Sequence, residues 1–201
     1  MTRLAPANGN EEKTDKLVRD AISDQWSFKS RFVLVFGEIN HATARTTCER
    51  LIALSEESDA PIKVLINSPG GHVESADAIH DLIRFVRAPV TTIGSGWVAS
   101  AGAHIFLAAE KKRRVCLPNT RFMIHQPAGG AGGPAADIEI QAKEILRTRE
   151  RLAHVISRET GQPLDRVRAD IERDFWMSAE EAIQYGMVSR VIQSYADVDK
   201  L

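Results

Sequence analysis

The sequence predicts an α/β fold made of parallel βαβ units. Three observations predict it. Short apolar runs rich in β-branched residues alternate with segments of helical period. The runs stop at glycine or proline turns. The chain has 201 residues, 43% of them apolar, which is enough for one substantial core.

The elements follow in order. Residues 1–15 are polar and read as a flexible N-terminal arm, and a short helix is expected from Lys16 to about Ile22. RFVLVFG (31–37) reads as a strand buried on both faces, ended by Gly37. TARTTCERLIALSEES (43–58) has apolar residues at helical spacing. PIKVLINSPGG (61–71) is a second strand stopped by a Pro-Gly-Gly turn, and ESADAIHDLIRFV (74–86) an amphipathic helix. APVTTIGSG (88–96) is a third strand, and ASAGAHIFLAA (99–109) a helix of small residues. RRVCLP (113–118) and RFMIHQP (121–127) are two short strands, followed by the glycine-rich AGGAGGP (128–134). A long charged helix spans about 135–160, with Ile138, Ile145, Leu152, Val155 and Ile156 roughly on one stripe, and closes at Gly161 and Pro163. It is too polar for burial in its own domain, so it projects or packs on another subunit. SAEEAIQYG (178–186) carries the capping-box signature Ser178 and Glu181, and MVSRVI closes the domain as a strand.

Composition narrows the function. A net charge of −1 points to neither nucleic acid nor an anionic membrane. No apolar run reaches the roughly 18 residues of a membrane span, and the polar N-terminus is unlike a secretory signal. Cys48 and Cys116 are far apart, which disfavours metal binding through them and fits reduced thiols in the cytoplasm.

Four places offer chemistry. Ser100 follows a strand and opens a helix, so its hydroxyl would lie near free backbone N–H groups and the positive end of the helix dipole. On composition alone, SGWVASAGAHIF (95–106) reads first as a tight packing device. His125 ends the strand RFMIHQP, at a strand end where functional residues gather in α/β folds, and is the best placed base of the six histidines. Taken singly it reads first as a half-buried histidine bonded to backbone. Gly70 and Gly71 form either a tight turn or a donor aimed into a cleft, and Asp174 is either a surface carboxylate or a partly buried one.

Taken together and in order, NSPGG, IGSGWVASAGA, LPNTRFMIHQPAGGAGGPAADIEIQAKEIL and TGQPLDRVRADIERDFWMSAEEAIQYGMV resemble the proteolytic subunit of the Clp protease, the ClpP family, over residues 31–193. The resemblance implies a ClpP/crotonase-like α/β fold of stacked βαβ units over residues 16–193, before a C-terminal tail at 194–201. A projecting handle of a strand plus the long helix, at about 126–160, would serve ring–ring contact. It implies Ser100 as nucleophile, His125 as base, Asp174 as its orienting acid, and the backbone N–H groups of Gly71 and Ala101 as oxyanion hole. It further implies heptameric rings enclosing the sites, alone or mixed with another ClpP-type subunit, and polypeptide substrates fed by an AAA+ unfoldase of the ClpX or ClpA type. Neither metal nor organic cofactor is expected. The other readings are a catalytically weak structural or regulatory subunit of such a barrel and, more remotely, a crotonase-type acyl-CoA enzyme, for which Glu74 is the nearest carboxylate.

Several positions depart from the family pattern. Trp97, His72 and His104 stand where small, amide or apolar residues are usual, and Ala101 replaces a Met. Trp97 and His72 are expected to alter access or specificity at the pocket beside the nucleophile, and His104 to pack. Pro134 would remove a ladder bond from a strand pairing across rings. Glu172–Arg173 could form inter-ring ion pairs. KLVRDAISDQWSFKS lacks the family's aromatic N-terminal helix, which bears on unfoldase docking.

Overall fold

The computed structural model describes residues 22–130 and 132–198, so the predicted arm and nearly all of the first predicted helix lie outside the described residues. In chain order the elements are α1 (residues 22–29), β1 (Phe32–Phe36), α2 (His41–Glu57), β2 (Ile62–Ser68), α3 (Val73–Phe85), β3 (Val90–Ala99) and α4 (Ala101–Phe106). After a 3₁₀ turn come β4 (Arg114–Cys116), β5 (Arg121–Ile124), α5 (Ala135–Thr160), α6 (Leu164–Asp170), β6 (Phe175–Met177), α7 (Ala179–Tyr185), β7 (Arg190–Val191) and α8 (Tyr195–Val198).

The strands β1, β2, β3, β4 and β7 lie side by side in that order, all parallel. β3 is long enough to serve two neighbours. Its first half pairs with β4, and its last residues, Trp97–Ala99, pair in parallel with Arg121–Met123 of β5. β6 then runs antiparallel to β5. Val33, Val35, Ile62, Val64 and Ile66 alternate onto the face covered by Leu51 and Leu54 of α2 and Ile79 and Ile83 of α3. A smaller cluster of Ile93, Val115, Ile192 and Val198 lies apart from it. Val198 brings α8 onto the domain, and Tyr195 of that helix packs its ring 6.0 Å from Phe32.

Local chemistry sets the ends. Asn40 caps α2 by accepting the Thr43 N–H, and Ser178 and Glu181 complete the expected capping box on α7. Gly161 and Gly186 take the left-handed conformation that closes α5 and α7. Cys48 and Cys116 are unpaired, on α2 and β4, and burial pushes the Cys116 thiol up to about 12.

Three expectations change. β1 is not buried on both faces: Leu34 and Phe36 are each 50% exposed, because β1 is the edge strand and, among the described residues, the helices cover only the side of Val33 and Val35. β3 runs on to Ala99, three residues past the predicted end, because Val98 and Ala99 find partners on β5; the following helix is correspondingly short. In keeping with the expected projection, and unlike these departures, α5 is buried only in its last third, at Ala153, Val155, Ile156 and Thr160, while Ile138, Ile140 and Leu146 are exposed. Pro134 stands at the start of α5 rather than in a strand, and its carbonyl accepts from Asp137 and Ile138. A helix start needs no N–H there, so the proline costs the helix nothing. Residues 125–130 form no strand within this chain.

Candidate active site

Three segments distant in sequence meet at the C-terminal end of β3. β3 stops at Ala99, and Ser100 turns the chain into α4 with φ 55° and ψ −120°. That region is essentially reserved for glycine, and a side chain held there stores about 1–3 kcal/mol of strain. The geometry is a sharp strand-to-helix turn that lifts the side chain out of the sheet edge and leaves the first N–H groups of α4 unused by the helix. The Ser100 N–H donates to Met123 O at 2.8 Å, so the turn is pinned to β5.

β5 delivers His125 immediately after Ile124. His125 Nε2 lies 2.7 Å from Ser100 Oγ. Antiparallel pairing of Ile124 with Phe175 then brings Asp174, the residue before β6, alongside the histidine. Asp174 Oδ1 is 3.1 Å from His125 Nδ1. Two further bonds tie the same strand ends together. Gln126 N–H donates to Ile171 O at 2.7 Å, and its side-chain amide donates to Glu172 O at 2.9 Å. The Glu172 carboxylate is held within the chain by Arg149 of α5. The Asp174 side chain is 61% exposed, the surface alternative of the two readings the sequence leaves open.

The Pro-Gly-Gly turn closes the other side. Ile39 N–H donates to Gly70 O and His72 N–H to Ile39 O, both at 2.8 Å. In a parallel bridge this pattern turns the N–H of the middle residue, Gly71, away from Ile39 and toward the side of β3. Both glycines have positive φ, +104° and +144°, and neither has room for a side chain. A Cβ on Gly70 would lie 2.6 Å from Ser100 Cβ, and one on Gly71 would lie 2.2 Å from Ile39 O. Ser68, which carries no catalytic signature of its own in the sequence, braces the turn. Its hydroxyl donates to Gly37 O at 2.6 Å and accepts the Gly70 N–H at 3.1 Å. Its only signal was its place in NSPGG.

A pocket opens beside Ser100 and His125 between α3, α4 and α5, and His104 is among its lining residues. His72 and Trp97 are not among its lining residues. His72 instead caps α3, accepting the Ser75 N–H, and lines a neighbouring groove with Gly71 and Glu74. Glu74 is 74% exposed and 3.2 Å from His72 Nε2. Trp97 is 44% exposed on β3.

Beside the pocket is a cluster of polar groups, of which His80 and His104 are buried. His104 Nε2 is 2.9 Å from Asp77 Oδ1, and Arg151 of α5 grips Asp77 with two bonds of 2.7 and 2.8 Å. Burial works against the Asp77 charge, but His104 and Arg151 outweigh it and hold the carboxyl well below its usual range. His80 stacks flat on His104, with ring centroids 4.3 Å apart and planes 5° from parallel. Burial first, and the neighbouring His104 second, push the His80 imidazole down to about 4.

Comparison with known proteins bears on the same residues. The sequence model of the Clp protease family matches residues 16–195. The chain is 52% identical over 188 residues to the ATP-dependent Clp protease proteolytic subunit 3 of Rhizobium johnstonii, covering 94% of this chain and 97% of that one. It is 52% identical over 198 residues to the proteolytic subunit 2 of Gluconobacter oxydans, covering 96% and 89%. Among solved structures, a mutant of ClpP1 from Listeria monocytogenes superposes with a TM-score of 0.81 at 48% identity, over 87% of this chain and 98% of that one.

Proposed function

The chain belongs to the Clp protease family, and on that premise we propose that it cleaves peptide bonds through an acyl-enzyme formed on Ser100. The observation that carries this reading is the hydrogen-bonded line from Ser100 Oγ through His125 to Asp174, with the serine on a strained turn. His125 Nε2 takes the Ser100 proton as the oxygen attacks the substrate carbonyl, forming the C–O bond. Asp174 accepts a hydrogen bond from His125 Nδ1–H, which fixes the tautomer and favours the imidazolium that forms. The N–H groups of Gly71 and Ala101 take the oxyanion. Each such donor is worth about 100- to 1000-fold in rate. His125 then protonates the leaving amine, the C–N bond breaks, and water, activated by the same histidine, releases the acyl group. No step calls for a metal or an organic cofactor.

The substrates on this reading are unfolded polypeptides, delivered by an AAA+ unfoldase into a barrel of stacked rings. The exposed apolar residues Ile138, Ile140 and Leu146 on α5 support burial of that helix against another copy. Relatives named as proteolytic subunits 2 and 3 favour a second arrangement, in which this chain shares its barrel with another subunit of the family. A fluorophosphonate probe decides the central point. It is expected to label Ser100 of the full-length protein and to lose that label in Ser100→Ala and His125→Ala; equal labelling of Ser100→Ala would overturn the assignment. Native mass spectrometry, alone and with a second subunit, separates the two barrels.

A further inference from the structure

The strained turn at Ser100 needs anchors on both sides, because a residue held at φ 55° relaxes unless its surroundings over-determine it. On the N-terminal side the anchor is Met123 O on β5, which accepts the Ser100 N–H. On the C-terminal side it is His104, whose backbone N–H donates to Ser100 O at 3.2 Å and closes the first turn of α4. The His104 side chain carries that anchorage on to α3. Its Nε2 lies 2.9 Å from Asp77 Oδ1, and its ring stacks flat on His80 of the same helix. Arg151 of α5 in turn holds Asp77 by both carboxylate oxygens. Packing alone does not account for this arrangement. His104 is 7% exposed and has apolar neighbours in Val73, Ala76, Leu107 and Ile156 along the pocket it lines. Its Nδ1 is buried with no hydrogen-bond partner among the described residues. A buried unpaired nitrogen is destabilising, and an aliphatic side chain at that place would carry no such cost.

We propose that His104 and Asp77 are positioning residues for hydrolysis at Ser100: the bond from His104 Nε2–H to Asp77 ties α4 to α3 and so holds the Ser100 turn and the Ala101 N–H in place. The proposal rests on Ser100 being the nucleophile. A carboxylate only accepts, so Nε2 carries the proton of that bond. Arg151, with two parallel bonds, fixes the plane of the Asp77 carboxylate. The contacts run unbroken from Arg151 through Asp77 and His104 to Ser100 O, so His104 and Asp77 act without touching the substrate. Ala101 follows Ser100 directly, and a rotation of α4 moves its N–H away from the developing oxyanion. A misplacement of about 1 Å costs about 100-fold in rate. Relative to an aliphatic residue, His104 therefore gives up stability for rate, and that opposed movement separates positioning from packing.

Full-length wild type, His104→Leu, His104→Gln, Asp77→Ala and the double variant His104→Leu/Asp77→Ala test this with one fluorogenic peptide, fluorophosphonate labelling and calorimetry. Rates are normalised to the Ser100 titre at full labelling. His104→Leu is expected to lower kcat and the labelling rate by about 10- to 100-fold, with KM within about twofold and a melting temperature no lower than wild type. His104→Gln, whose amide N–H can donate to Asp77, should recover most of the rate. Asp77→Ala should lower kcat as His104→Leu does, and the double variant should fall no further than the slower single one, because both remove the same bond. Wild-type kcat in His104→Leu overturns the proposal. So does a raised KM with kcat unchanged, the mark of a substrate contact. So do losses that add in the double variant. If His104→Leu melts lower or fails to fold, Asp77→Ala and His104→Gln decide: the proposal falls if Asp77→Ala keeps the wild-type kcat or if His104→Gln is the slower of the two. Absence of Ser100 labelling in the wild type overturns the nucleophile assignment, and this proposal falls with it; a labelled wild type with unaffected variants overturns only the positioning role.

Discussion

Ser100 offers a test in which strain and chemistry separate. Its φ of 55° and ψ of −120° place a Cβ where about 1–3 kcal/mol is stored. Ser100→Ala removes the hydroxyl and its bond to His125 but keeps the Cβ and the strain. Ser100→Gly removes both, at a cost of about 0.5–1 kcal/mol in chain entropy. The lost hydroxyl cancels between the two variants, so their difference isolates the backbone. The middle values leave the glycine variant ahead by about 1 kcal/mol. At an ordinary helix or strand position the order is the opposite, so the sign itself is diagnostic. In a chain of this size that difference is a melting temperature higher by about 2–4 °C. Calorimetry on both variants at one protein concentration, so that association contributes equally, reads it. Both should lose peptide hydrolysis. If the alanine variant melts at or above the glycine variant, the turn is not strained and the elbow argument fails.

Three further outcomes are expected. Asp174→Asn should lower kcat by about 10⁴-fold with KM little changed, because an amide no longer fixes the His125 tautomer; steady-state peptide kinetics with an unchanged kcat would remove Asp174 from the mechanism. Gly70→Ala puts a Cβ 2.6 Å from Ser100 Cβ at φ +104°, and should slow fluorophosphonate labelling at least tenfold while costing more than about 2 kcal/mol in a urea titration; labelling at the wild-type rate would show that the turn does not hold the nucleophile. His80 titrates near 4 in the folded chain against an ordinary value of about 6.5. The unfolded chain therefore binds this proton first as pH falls, and stability drops between about pH 6.5 and 4, by about 3 kcal/mol at most. His80→Phe should flatten the melting temperature over that window, and parallel wild-type and variant curves would contradict it.

Much of this fold is legible in local chemistry. The alternation of β-branched runs with helical periods marks β1 to α3 to within a few residues, since each element answers to its own neighbours in sequence. Asn40, Ser178 with Glu181, Gly161 and Gly186 act within a turn of the helices they cap or close. What misled was non-local. Nothing in Trp97–Ala99 announces the partner on β5 that makes strand of these residues, of which only Ala99 reads as helix from the sequence. The short α6 and β6, which place Asp174, were not read from the sequence at all, because β6 is three residues long and depends on its pairing with β5.

The same division runs through the site. Ser100, His125, Asp174, Gly71 and Ala101 were identified by motifs that survive as short strings, and the order of those strings pointed to the family. Taken singly, each residue had an ordinary packing role. Only the tertiary structure sets 2.7 Å between Ser100 and His125 and 3.1 Å between His125 and Asp174, because those distances arise from β3 pairing with β5 and β5 with β6. It also decided the role of His104. The sequence placed that residue one helical turn beyond Ser100 and assigned it to packing. Asp77, His80 and Arg151, which orient it and leave Nδ1 without a bond among the described residues, come from α3 and α5. Sequence determines what a segment does with its neighbours in the chain; which buried nitrogen lacks a partner is settled only when distant segments close around it.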